Sequence, residues 1–174
     1  MYLHRHLIDM NYMKADHYQG HKGFLDELYG RDWDHLIDLN MNIIRYLAEV
    51  FAIDTPIVMS SSLECIKSEN ILSEPMYAGN GTTPGDPGKD AKYLKNYRAT
   101  KRLIDICKEL GADTYVSGIG GKEYMIEDMF ADEGIKLEYL QFHHPVYRQC
   151  YPDFIPNLSS PDYIMNVAPL GAEI

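Results

Sequence analysis

Long apolar runs are missing from this 174-residue chain, and none approaches the roughly 20 residues that a membrane-spanning helix needs. The opening Met1-Tyr2-Leu3-His4-Arg5-His6 lacks the basic-then-apolar layout of a signal peptide. Cysteine is sparse: Cys65, Cys107 and Cys150 are odd in number, far apart, and form no Cys-x-x-Cys pair. That pattern argues against a disulfide scaffold and for reduced thiols. A cytoplasmic protein without a membrane partner is therefore the expectation. Basic residues are outnumbered, 16 against 26 acids, for a formal net charge of −10. A general nucleic-acid binder neutralises phosphates with cations, so no nucleic-acid partner is expected.

What is present suits one ordinary core. At 20.0 kDa and 45% hydrophobic residues, the chain reads as a single α/β domain over 1–174. Residues 1–30 read as a helical N-terminal segment, broken near Gly20 and Gly23. A helix follows over about 33–51, with Asp32 as its N-cap and Trp33, Leu36, Ile37, Ile43, Ile44, Leu47 and Phe51 at helical spacing. Thr55-Pro56-Ile57-Val58-Met59-Ser60 is expected as a strand closing in a serine run. Prolines and glycines crowd 70–90, a loop long enough to be read as an insertion.

Beyond that loop the periods alternate. A helix is expected over about 91–110, then a strand at Thr114-Tyr115-Val116, then a helix over about 122–132 stopped by Gly134. The charged–apolar alternation from Lys136 to Phe142 predicts a half-exposed strand, and a short final helix is expected over 162–167. Helix alternating with strand predicts a three-layer, Rossmann-like α/β domain, with a mostly parallel central sheet and helices on both faces. The helices over about 33–51 and 91–110 should pack on that sheet.

In such a sheet, ligands bind where strands end. The stretch Ser117-Gly118-Ile119-Gly120-Gly121-Lys122-Glu123-Tyr124 is a small, glycine-rich turn at that position, with a cation for an anionic group. The alternative is a tight turn that needs glycine only for its backbone angles. The strand closing at Ser60 and Ser61 offers a second such end, and Asn40 is a polar residue inside an apolar helix. Downstream, Tyr147, Gln149, Asp162 and Asn166 are positioned to converge on a polar small molecule, or to satisfy their own backbone. Lys92, Lys95, Arg98 and Arg102 share one helix face, which hints at an acidic ligand but suits a solvated surface as well.

Seven histidines raise the question of a metal. His17 and His21 have helical ligand spacing but flank Gly20, and His143 and His144 point apart on an extended chain. No thiolate pair or His-Glu motif supports them, so no metal is expected. A Ser117, His143 or His144, and Asp162 triad is conceivable, although the G-x-S-x-G elbow is absent. No cofactor is named by any motif.

Several of these segments together carry a family resemblance. Residues 102–112, the Ser117-Gly118-Ile119-Gly120-Gly121-Lys122 loop and His144-Pro145-Val146-Tyr147-Arg148-Gln149 are its centre, joined by Phe154-Ile155-Pro156, Asp162 and Asn166. With Leu36-Ile37-Asp38-Leu39-Asn40 and the strand closing at Ser60-Ser61, they resemble the WbqC-like protein family over about 33–169. Members occur beside bacterial surface-polysaccharide genes and are described, by label only, as glycine transferases. The resemblance implies an α/β transferase moving an acyl or aminoacyl group to a sugar. Members usually begin with a strand and a Gln-Pro-x-Tyr-x-Pro-x-x-Gly-Tyr-Phe segment, which is not found here, so the chain reads as an amino-terminally shortened member. The alternative is a shortened, non-catalytic binding or assembly domain. A sheet lacking its opening strand has an unpaired edge, so a homo-oligomer using residues 1–29 is expected.

Overall fold

A computed structural model describes residues 2–67 and 87–167 of the chain. In order, the described elements are α1 (Tyr2–Tyr12), α2 (Tyr18–Gly30), α3 (Leu36–Val50), α4 (Glu64–Lys67), α5 (Pro87–Glu109), β1 (Thr114–Gly118), α6 (Glu127–Asp132), β2 (Lys136–Leu140) and α7 (Ser160–Asn166). Short 3₁₀ turns occupy Ser60–Ser62 and Ile119–Glu123. The fold is thus mixed helix and strand, with a two-stranded parallel sheet. The stretch expected as a loop over 70–90 lies outside the described residues up to position 86, and its last four residues are already helix. The chain divides into two compact units, one formed by Met1–Pro56 with His143–Ile174, the other by Ile57–Phe142.

The Ile57–Phe142 unit is built around β1 and β2. They run parallel, with Tyr115 opposite Leu137 and Ser117 opposite Tyr139. Their period-two alternation sends Tyr115, Leu137 and Tyr139 to one face, onto a cluster of Ile104, Cys107, Met125, Phe130 and Ile135. The helical stripe read from the sequence of α5 supplies Ile104 and Cys107 to that cluster. Phe130, fully buried, comes from α6. Val116 and Leu140 point the other way and remain exposed, so within this unit α5 and α6 cover one face of the sheet. Thr100, also fully buried, donates its hydroxyl to Asn96 O at 2.8 Å and accepts the Ile126 N–H at 3.0 Å, satisfying a donor at the start of α6.

Both helices stop as their glycines suggest. Gly111 and Gly134 take φ of +65° and +70°. Ala112 N–H reaches back to Cys107 O at 2.8 Å and Ile135 N–H to Phe130 O at 2.9 Å, which closes the last turn and aims the chain into the next strand. The expected helix over 122–132 starts later, at Glu127, because Tyr124 and Met125 spend their N–H groups on Gly121 O in the 3₁₀ turn. The expected strand at Thr55–Ser60 does not form. Pro56 has no N–H to give a ladder, and among the described residues β1 and β2 pair only with each other. A sheet containing three strands is therefore corrected to one of two.

In the other unit, Tyr18, Leu25, Ile164 and Met165 form the core, and α3, which the sequence placed on the sheet, adds Tyr46, Leu47, Val50 and Phe51 to it. The expected break at Gly20 and Gly23 is not there: α2 runs through both, and the chain turns at 13–17 instead. A helical glycine costs only about 1 kcal/mol, less than the tertiary contacts of Tyr18, His21, Leu25 and Leu28 return. Arg5 ties α1 to α2 through Asp26 at 2.6 Å, and also pairs with Asp9. The start of α3 is likewise corrected, from Trp33 to Leu36. Trp33 stays outside the helix because its indole N–H donates to Leu28 O at 2.9 Å, under the Arg31 guanidinium 4.4 Å from the ring.

Candidate functional site

The short helix α7 opens at Ser159, extended at φ −71° and ψ 160°, and Pro161 in its first turn presets the helical backbone. This places Asp162 facing inward, only 4% exposed. Three side chains donate to its carboxylate. The Tyr147 hydroxyl lies 2.6 Å and Gln149 Nε2 3.0 Å from Oδ2, while Asn166 Nδ2 lies 3.3 Å from Oδ1. Tyr12, from α1, lies close enough to feel the Asp162 charge. Gln149 also exchanges two bonds with the backbone of Ile155, donating to its O at 2.9 Å and accepting its N–H at 2.8 Å. Asn166 accepts from the Cys150 thiol at 3.3 Å. Tyr147 is packed edge-on against Phe154 and Tyr163, with ring centres 5.7 Å and 5.0 Å away, which fixes where its hydroxyl points.

The electrostatics are those of a negative, partly desolvated site. Burial and the Asp162 bond push the Tyr147 hydroxyl up to about 12, and raise the Tyr12 hydroxyl as well. Burial first, then Asp162 and Asp16, pushes the Cys150 thiol up. At neutral pH these phenols stay protonated, and the thiol is no ready nucleophile. With the Tyr147, Gln149 and Asn166 hydrogens already given to Asp162 and to the backbone, the cluster offers a polar group acceptor oxygens rather than donors. Among the described residues, no group of three or more His, Cys, Asp or Glu is placed to hold a metal ion.

The glycine-rich turn after β1 lies in the other unit. Ser117 is buried and its hydroxyl donates to Gly118 O at 3.0 Å. Gly121 sits close against Ser117 Oγ and Met125 Cε, which would have to move aside for a Cβ, whereas Gly118 and Gly120 have open space. Lys122 belongs to the 3₁₀ turn, not to a helix start, and its ammonium sits 4.6 Å from the centre of the Tyr139 ring. Tyr124 follows, exposed. Burial and a 2.8 Å bond to Glu127 raise the Tyr139 hydroxyl to about 12.

The structure thus brings Tyr147, Gln149, Asp162 and Asn166 together, as expected from their order in the chain. Asn40 lies on an exposed face of α3, and Ser60 and Ser61 in an exposed 3₁₀ turn of the other unit. Of the conceivable triad, Ser117 bonds Gly118 O, Asp162 is bonded as above, and His144 Nδ1 lies 2.8 Å from Pro145 O. Tyr12 and Cys150 were not read from the sequence as members of the site. With 14 tyrosines in the chain, nothing local distinguishes Tyr12. Its shared α1 face with Arg5, Ile8 and Asp9 was the one available signal.

Against known proteins, the model of the WbqC-like protein family matches residues 2–174. No curated protein and no solved structure matches the chain.

Proposed function

Because the chain belongs to the WbqC-like protein family, we propose that it is a transferase of that type, moving an acyl or aminoacyl group, glycine in the family's description, to a sugar in bacterial surface-polysaccharide synthesis. The observation that carries this reading is the buried Asp162 carboxylate with Tyr147, Gln149 and Asn166 converging on it. Such a cluster orients an acceptor, and in the other unit the turn at Ser117, Gly118, Gly120, Gly121 and Lys122, with Tyr124, is proposed by itself as a place for an anionic group. The proposal extends to a three-layer Rossmann-like arrangement, a cytoplasmic location and a homo-oligomer.

A thermal-shift screen of the whole chain with nucleotides, sugar nucleotides and glycine tests it. A ligand that binds only the folded state stabilises it by about 2.7 kcal/mol at a hundredfold excess over Kd. A raised Tm with a sugar nucleotide or glycine, followed by a transfer product in a coupled assay, is the expected result. A flat response to all three removes the proposal. The rival reading is a non-catalytic binding domain, and one observation favours it: Cys65, Cys107 and Cys150 all have thiols pushed up by burial, away from nucleophilic use. Neighbouring genes separate the two, since glycosyltransferases and sugar-nucleotide enzymes accompany a transferase.

A further inference from the structure

Helix α5 gathers basic residues in a chain that is otherwise acidic. Lys101 pairs with Asp105 at 2.9 Å, and Lys108 pairs with Glu133. Among the described residues Lys92, Lys95, Arg98 and Arg102 form no ion pair, and all four are exposed. The acids at the far end of the helix do not serve them. Asp105 goes to Lys101, and the Glu109 carboxylate accepts the Glu64 and Cys65 N–H groups, each at 2.8 Å. The helical period sets Lys95, Arg98 and Arg102 opposite the buried Thr100, Ile104 and Cys107, with Lys92 on their flank. Their spacings of three and four residues make each cation the neighbour of the next, an arrangement that costs helix stability unless an anion lies over it.

The form of this face selects among anionic partners. From Lys92 to Arg102 the helix rises about 15 Å. The outer side of a helix is a convex ridge, which neither encloses a small anion nor forms the groove that tracks a nucleic-acid strand. Apolar anchors are missing too, since Ala99 and Ile106, beside the cations, are half-buried. A specific protein partner needs such an anchor at the centre of its interface. An anionic bilayer needs none, because its attraction for basic residues is electrostatic and its lipids move sideways to meet fixed cations. The overall charge of −10 does not forbid the contact, as exposed charges are screened beyond about 10 Å at about 0.1 M salt. We infer that this face of α5 is a peripheral docking surface for an anionic phospholipid bilayer, with Lys92, Lys95, Arg98 and Arg102 set against the headgroup phosphates. The expectation of no membrane partner rested on missing spans, and a surface contact needs no span. Such docking requires nothing of the proposed transfer reaction.

Flotation of the full chain with vesicles tests this, using phosphatidylcholine alone and phosphatidylcholine with about a third phosphatidylglycerol. The anionic vesicles should carry the protein and the neutral ones should not. Raising the salt from about 0.1 M to about 0.5 M should release it. A basic residue at a membrane surface contributes roughly fivefold in partitioning, so the double variant Lys95→Gln, Arg98→Gln should bind at least about twentyfold more weakly. Lys14→Gln with Arg45→Gln, at exposed positions of the other unit, removes the same charge and should bind as the native chain does. Glutamine is a good helix former, and far-UV circular dichroism with an unchanged Tm confirms that both variants fold. No binding to the anionic vesicles, equal binding to the neutral ones, or an equal loss in the two double variants overturns the inference. Release by inorganic phosphate at an ionic strength where chloride has no effect also overturns it, assigning the face to free phosphate. So does a single-stranded oligonucleotide that binds through Lys95 and Arg98 while the vesicles do not.

Discussion

His21 is buried with both ring nitrogens engaged, and its partners settle the tautomer. The Ile164 carbonyl, 2.9 Å from Nε2, can only accept, so Nε2 carries the proton and Nδ1 accepts from the Tyr46 hydroxyl at 2.6 Å. Burial lowers the proton affinity of the ring, His17 nearby lowers it further, and the Ile164 bond opposes both. The unfolded chain therefore takes up a proton below about pH 6.5, while the folded chain resists until lower pH. Stability from this group is complete above that value and is lost as pH falls through the window beneath it. Urea midpoints at pH 7.5 and 5.5 should drop more in the native protein than in His21→Gln; an equal drop in both would remove His21 from the account. The sequence singled out His21 only for its ligand spacing with His17 and not for this role, because its carbonyl partner lies 143 positions away. Tyr147, Gln149, Asp162 and Asn166 were legible, since they crowd one polar segment behind a strand. Tyr12 was not, for the same reason of distance along the chain.

Helix ends were legible where a glycine marked them and obscure elsewhere. Gly111 and Gly134 supply the left-handed residue that α5 and α6 need. The end of α3 is built the same way, with Ile53 N–H returning to Ala48 O at 2.8 Å, but the left-handed position is held by Ala52 at φ 51°. An alanine there is strained by roughly 1 kcal/mol, which glycine relieves at some cost in chain entropy. Ala52→Gly should therefore raise stability by up to about 1 kcal/mol, read as a higher urea midpoint; a fall would show that the entropy lost outweighs the strain removed. Helix starts fared worse. Asp32 looked like a cap, yet α3 begins after His35 because Trp33 is held by Leu28 O and Arg31. The missed strand has a similar cause: apolar β-branched residues at 57 and 58 carry the propensity, but a strand exists only where a neighbour completes its ladder.

Viewed entire, the molecule leaves apolar side chains on the outer side of α1. Leu3, Leu7 and Met10, at helical spacing, are 69%, 47% and 61% exposed, while Arg5, Ile8, Asp9 and Tyr12 turn inward. The proposed homo-oligomer would use this stripe, and light scattering at micromolar concentration should give a mass above the 20.0 kDa of one chain. Leu7→Glu should return it to one chain; a native protein that already scatters as a monomer removes the oligomer. Among the described residues no helix is long and apolar enough to cross a membrane. One last property follows from how the two units share the chain. The unit with the Asp162 cluster is discontinuous, made of Met1–Pro56 and His143–Ile174, whereas the other is a single stretch, Ile57–Phe142. During synthesis the uninterrupted unit has all its residues first, and Phe130 can find Ile104 and Ile135 early. Tyr18 and Leu25 are made well before Ile164 and Met165, which lie on the last described helix, and cannot complete their cluster until those arrive. The segment that carries the proposed ligand-binding groups therefore also completes the core of its unit, so a released chain ending before residue 160 would keep both strands and lack the Asp162 cluster.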